Sequence, residues 1–160
     1  MRTAGEPMAD WKMLAWRSAG GAAAILAMYF LAGFGEMPLT LVPFATSIVL
    51  VLGLPDAEPS QPGALVGGHL ISAAIGVAVA LIAGPSPWAG AAAVGLAMAA
   101  MHLTRTFHPP AGINPLIAVN EHLNWTFLFI PVAAGAVLLA CFAFLWHKAT
   151  RKQAWPARWW

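Results

Sequence analysis

Charge is what this chain has least of. Only 9% of its 160 residues are charged, against about a quarter in an ordinary soluble domain. A water-soluble fold is therefore excluded on composition. A single cysteine, Cys141, rules out a disulfide within the chain. No basic stripe with interleaved aromatics exists, so nucleic acid is not an expected partner. Glu36, Asp56, Glu58 and Glu121 all fall in expected loops, leaving no carboxylate pair within the apolar runs. Nothing else resembles a hydrolase, and the chain reads as a non-enzyme. The histidines at 69, 102, 108, 122 and 147 form no i, i+4 pair, and no cysteine cluster joins them. No metal and no cofactor are expected.

What is abundant is apolar sequence, 60% of residues with a mean hydropathy of +0.73. A bilayer core takes roughly 20 apolar residues per helical crossing. Four runs qualify as full spans: 17–34, 64–83, 88–103 and 125–146. The first is rich in Gly20, Gly21 and Ala22 to Ala24, small residues that let helices approach closely in lipid. It lacks a small-residue cleavage site and reads as a helix rather than a signal peptide. Gly33, Gly35, Glu36 and Pro38 then turn the chain. The expected organisation is an N-terminal segment over 1–15, a membrane domain over 16–147, and a basic tail over 148–160 suited to anionic headgroups.

Two stretches do not fit a plain span. Residues 38–54 are apolar but hold Pro43, where a helix break is expected. Residues 104–119 carry Arg105, His108, Pro109, Pro110, Gly112, Asn114 and Pro115. From 107 to 119 the chain would cover about 20 Å as helix, too little to cross. The two stretches fall at matching places in the halves 16–83 and 84–147, a candidate internal repeat. Paired proline- or glycine-interrupted segments in two halves are the best sequence pointer to a transporter site. Basic residues near both ends place both termini in the cytoplasm. The number of crossings is then even, so the two segments must behave alike: both re-entrant or both broken crossings. The fold expected is an all-α membrane protein with four full transmembrane helices and two short proline-broken segments.

The chemistry of the second stretch suggests an anion. Pro109 and Pro110 suit a helix start, leaving Ala111, Gly112 and Ile113 as amide donors at a positive helix end. Gly112 permits close approach, and Asn114 offers an amide. Thr46 and Ser47 would add hydroxyls from the facing half. Arg105 stands alone among basic residues between Arg17 and Lys148. A buried arginine costs about 2.5–3.5 kcal/mol on insertion scales and needs a purpose. Against this, Arg105 could simply anchor a helix at the surface, and His108 could bond a carbonyl and stiffen the turn. His69, beside Gly67 and Gly68, could be a packed core histidine. His102 and His147 are expected at the interface.

Residues 103–112 (Leu-Thr-Arg-Thr-Phe-His-Pro-Pro-Ala-Gly) resemble the signature of the HPP family of integral membrane proteins. Pro43 to Leu50 match as well, as do Gln61-Pro62 and Val66 to Ala73, including Gly68 and His69. The resemblance covers roughly 15–147. It implies four membrane-spanning helices and, since plant chloroplast and cyanobacterial members are associated with nitrite, transport of a small inorganic anion. The substrate-binding residues it and the chemistry together indicate are Arg105, His108, Pro110, Ala111, Gly112, Asn114, Thr46, Ser47, Gly68 and His69. Ile113-Asn114-Pro115 departs from the family pattern, at the position where selectivity would be set. The expected partners are the lipid bilayer, the anion and further copies of the chain in a homo-oligomer. The expected location is a bacterial inner membrane. The rival readings are a histidine metalloprotein in the membrane and a structural or assembly subunit.

Overall fold

The computed structural model describes residues 10–31, 41–150 and 155–159, which contain helices and turns and no strand. The turn expected over Gly33, Gly35, Glu36 and Pro38 lies outside the described residues, as do residues 1–9. Helix α1 runs Trp11–Leu31. Asp10 Oδ1 accepts from the Lys12 and Met13 amides at 3.0 and 3.2 Å, which caps the helix six residues before the expected start at Arg17. Helix α2, Val42–Gly53, shows no break at Pro43. Proline there occupies the first turn, where no intrahelical N–H bond exists to be lost. Pro62 does the same for α3, Pro62–Ala83. Helix α4 spans Pro87–Leu103, capped by Ser86 Oγ accepting from Ala89 N at 3.1 Å.

A 3₁₀ turn, Pro109–Ile113, leads straight into the short α5, Asn114–Asn120. The last apolar run is not the uninterrupted span expected. It comprises α6 (Trp125–Phe127), a π turn (Leu128–Ala133) and α7 (Ala134–Thr150). Ile130 is extended, with φ −135° and ψ 111°. Pro131 has no N–H to donate and disfavours helical backbone in the residue before it. Among the described residues three helices can, by length and composition, cross a membrane: Trp11–Leu31, Pro62–Ala83 and, taken across its kink, Trp125–Ala149. Helix α4, with 17 residues, extends about 26 Å and is the short fourth.

Helix α3 is the axis on which the rest is hung. Val51 and Leu52 share a core cluster with Leu65, and Phe44 stacks on His69 at 4.5 Å. Helix α2 thus runs antiparallel to α3, from the level of His69 back to its start. Asn114 meets His69 and Ser72, Ile117 and Ala118 cluster with Ala73 and Val77, and Val119 joins Ala80 and Ala89. Helix α5 therefore runs parallel to α3, from the level of His69 toward its far end. The two short helices begin side by side and point in opposite directions.

The end of α2 is tied to three other elements. Arg17 Nη1 donates to Gly53 O at 3.0 Å, His147 Nε2 pairs with Val51 O at 3.2 Å, and Ser60 Oγ donates to Leu50 O at 3.2 Å. The Arg17 cation at this helix C-terminus complements its dipole. His147 is buried, only 1% exposed, and not at the interface as expected. Helix α7 extends to Thr150, into the basic tail. Trp155 is buried and donates Nε1–H to Ser60 O at 3.2 Å. Gln61 Oε1 accepts from Ala157 N at 3.0 Å, and Trp159 O accepts from Gly63 N at 2.8 Å. Residues 155–159 thereby close over the loop between α2 and α3.

Glycine is essential where α5 crosses α3. A Cβ on Gly76 would stand 2.5 Å from Pro115 Cα and 3.0 Å from Ala118 Cβ. Gly76→Ala should destabilise the detergent-solubilised protein by about 1–3 kcal/mol, the usual cost of overpacking. Gly95→Ala, whose Cβ meets nothing within 4 Å, should leave the unfolding temperature unchanged or slightly raised.

Candidate functional site

The starts of α2 and of the 109–120 segment meet around five buried polar side chains: Ser47, His69, Ser72, His108 and Asn114, each 0% exposed. Ser47 sits in the second turn of α2 and His69 in the second turn of α3. His108 is the residue before the 3₁₀ turn, and Asn114 opens α5. Gly68 lets them converge. A Cβ there would lie 2.7 Å from both His108 Cβ and Thr106 O, so any larger residue would push the 104–108 loop off α3.

Ser47 Oγ is 2.9 Å from His69 Nε2 and 2.9 Å from His108 Nε2, and also 2.9 Å from its own Pro43 O. His108 Nδ1 lies 2.6 Å from Pro59 O. A carbonyl only accepts, so His108 carries its hydrogen on Nδ1 and presents a bare Nε2 to Ser47. On the other side Asn114 Nδ2 is 3.0 Å from His69 Nδ1, 3.3 Å from His69 O and 3.1 Å from Ser72 Oγ. Ser72 gives its own hydrogen to Ala111 O at 2.8 Å, so it needs a donor from Asn114. These neighbours fix the amide orientation. His69 Nδ1 then accepts, and His69 Nε2 donates to Ser47. One direction of donation runs through the chain: Asn114 to His69, His69 to Ser47, Ser47 to His108, His108 to Pro59. Both rings are satisfied as neutral imidazoles, and among the described residues no Lys, Arg, Asp or Glu belongs to the cluster.

The expected binding residues separate into two groups. Ser47, Gly68, His69, His108, Ala111 and Asn114 come together. Pro110 and Gly112 are half-exposed beside them, and a Cβ on Gly112 would meet nothing within 4 Å. The Ala111 amide is already engaged, donating to His108 O at 2.9 Å. Thr46 points outward, with its hydroxyl turned back to Pro43 O at 2.9 Å. Arg105 is exposed and outside the cluster. Its φ of 57° puts it in the left-handed position that ends a helix. The amides of Arg105 and Thr106 donate to His102 O and Met101 O at 3.2 and 2.9 Å, the paired bonds of a Schellman stop. His102 is exposed and stacks on Phe107 at 4.0 Å. Among the described residues no three His, Cys, Asp or Glu side chains gather at metal-binding distance.

Ser72 and Pro59 were not singled out from the sequence. Ser72 follows His69 by three positions, hence lies on the same helix face, and that signal was available. The Pro59 carbonyl left no trace in residue type.

The model of the HPP transmembrane region matches residues 6–156 of the chain. A transmembrane protein of Dictyostelium discoideum is 36% identical over 133 residues, covering 78% of this chain and 43% of that protein. A second from the same organism is 31% identical over 166 aligned positions, covering 96% of this chain and 58% of the relative. The chain thus spans about half the length of the curated relatives it matches. No solved structure matches it.

Ser47 is the link on which both rings depend. Ser47→Ala would leave the His69 Nε2–H without an acceptor and His108 Nε2 without a donor, at about 1–3 kcal/mol for each buried orphan. Denaturation in detergent should show that loss, whereas Thr46→Ala, at an exposed hydroxyl, should stay within about 0.5 kcal/mol.

Proposed function

The chain belongs to the HPP transmembrane family and is a membrane protein, and from that premise we propose that it carries a small inorganic anion, nitrite favoured, across the bilayer. The observation that carries the reading is the meeting of two half-helix starts at a buried polar cluster. Irregular backbone at membrane depth is sustained only where protein buries it or a solute path passes. Half-helices that begin near the midplane and point apart are a recurrent way to build a transporter site.

In this reading α4 serves as the fourth span, thinning the bilayer locally to fit its length. Helix α2 and the 109–120 segment each cover one half of the membrane. Their opposed directions support an inverted repeat of 16–83 and 84–147. Both termini lie on the cytoplasmic side of a bacterial inner membrane, where Arg17, Lys148 and Arg158 satisfy the positive-inside rule. Val49, Ile113 and Leu116 on the outer faces of the half-helices are exposed. Further copies of the chain would shield them, hence a homo-oligomer.

Arg105 and the cluster take different roles. The exposed guanidinium at the end of α4 raises local anion concentration at the mouth, and Ser47, His69, His108 and Asn114 line the passage. Proteoliposomes test this directly. Nitrite flux should fall to the protein-free rate in His108→Ala. Arg105→Gly keeps the left-handed turn while removing the cation, and should raise the half-saturating nitrite concentration several-fold with little change in maximal rate. Unchanged flux in both variants would remove the site from the transport path.

A further inference from the structure

The buried cluster has used all its donors. His108 Nδ1–H goes to Pro59 O, and His69 Nε2–H to Ser47 Oγ. The Asn114 amide hydrogens serve His69 and Ser72, and the Ser72 hydroxyl serves Ala111 O. The Ser47 hydrogen lies between His108 Nε2 and Pro43 O. What remains is acceptor capacity. Asn114 Oδ1 is fully buried and, among the described residues, has no hydrogen-bond partner. Its residue is 0% exposed, and leaving a buried acceptor of this kind unpaired is costly. The group it lacks is a donor.

A bare anion would bring only more acceptors to this place. It would meet two neutral rings, two hydroxyls already committed and an amide oxygen pointing its lone pairs inward. Among the described residues no cationic side chain belongs to the cluster, and an unpaired charge is costly to bury. A protonated acid would bring the missing O–H. Resting on the transport reading above, we infer that the cluster admits its anion as the undissociated weak acid, with Asn114 Oδ1 accepting the acid's O–H. Nitrite takes up one proton from water at the mouth, crosses as neutral nitrous acid, and returns that proton to water on the far side. No bond of the protein is made or broken, and nothing is oxidised or reduced. His69 and His108 are the titratable groups facing the site, and both are held in place by the chain of donation that ends on Pro59 O.

The two forms of the solute differ in charge, which gives a readout independent of any variant. Nitrite uptake by proteoliposomes holding the full chain would be followed with and without an inside-negative potential of about 100 mV, subtracting protein-free vesicles. A unit charge crossing the full field shifts by about 2.3 kcal/mol at that potential, or about 50-fold in distribution. Transfer of the neutral acid predicts the same protein-mediated rate at both potentials, with one proton entering per nitrite. It also predicts no uptake of nitrate, which is likewise a planar, singly charged oxyanion of nitrogen but is the base of a strong acid. Asn114→Leu, close in volume but lacking the acceptor, should lose nitrite uptake. Uptake slowed by the inside-negative potential, or nitrate carried as well as nitrite, would overturn this inference and leave anion transport standing. No protein-mediated uptake of either ion would overturn both.

Discussion

One hydroxyl holds the two halves of the chain together. Ser47 Oγ stands 2.9 Å from a ring nitrogen of His69 and 2.9 Å from one of His108. It joins α2 to α3 and both to the loop before the 109–113 turn. A hydroxyl can donate once while accepting, and that fits a donor on one side and an acceptor on the other. Two neutral histidines meet this requirement only as opposite tautomers. The remote nitrogens supply the difference: Asn114 donates to one, and Pro59 O accepts from the other. Removing any member strands a polar group where water cannot replace it.

The geometry of the fold follows from that constraint. For Ser47 to reach His108, α2 must begin at the level of His69, two turns along α3 from its start. For Asn114 to reach His69, α5 must begin there too. Prolines at the starts of both segments cost nothing because no N–H bond is due. Gly68 and Gly76 let the second segment lie against α3 at backbone distance. Helix α2 is secured at its far end by Arg17, His147 and Ser60. The same loop supplies the Pro59 carbonyl, and Trp155 and Gln61 fasten it to the C-terminal residues. The buried cluster and the packing around the loop between α2 and α3 are thus one connected structure.

Much of this was legible in the residues. The apolar runs announced helices because span length is set by the bilayer. The two odd segments announced themselves by proline, glycine and polar residues where a plain span has none. What sequence could not give was register. Pro43 reads as a break or as a start depending on one turn of helix, and the structure makes it a start. Pro131 breaks its helix in earnest, yet the strength of the run around it hid the kink. Arg105 drew attention by charge but ends a helix at the surface. Asn114, notable only as a departure from a family pattern, stands at the centre. Charge is visible in a sequence, and a shared hydrogen-bond partner is not.

The account rests on two histidines of opposite tautomer sharing one serine. Solid-state nitrogen NMR of the selectively labelled protein in lipid reads that arrangement directly. The prediction is a bare Nδ1 and protonated Nε2 on His69, with protonated Nδ1 and bare Nε2 on His108. The Ser47→Ala variant should disturb both rings together. The same tautomer on both rings, or two doubly protonated rings, would contradict the chain of donation and the neutral site built on it.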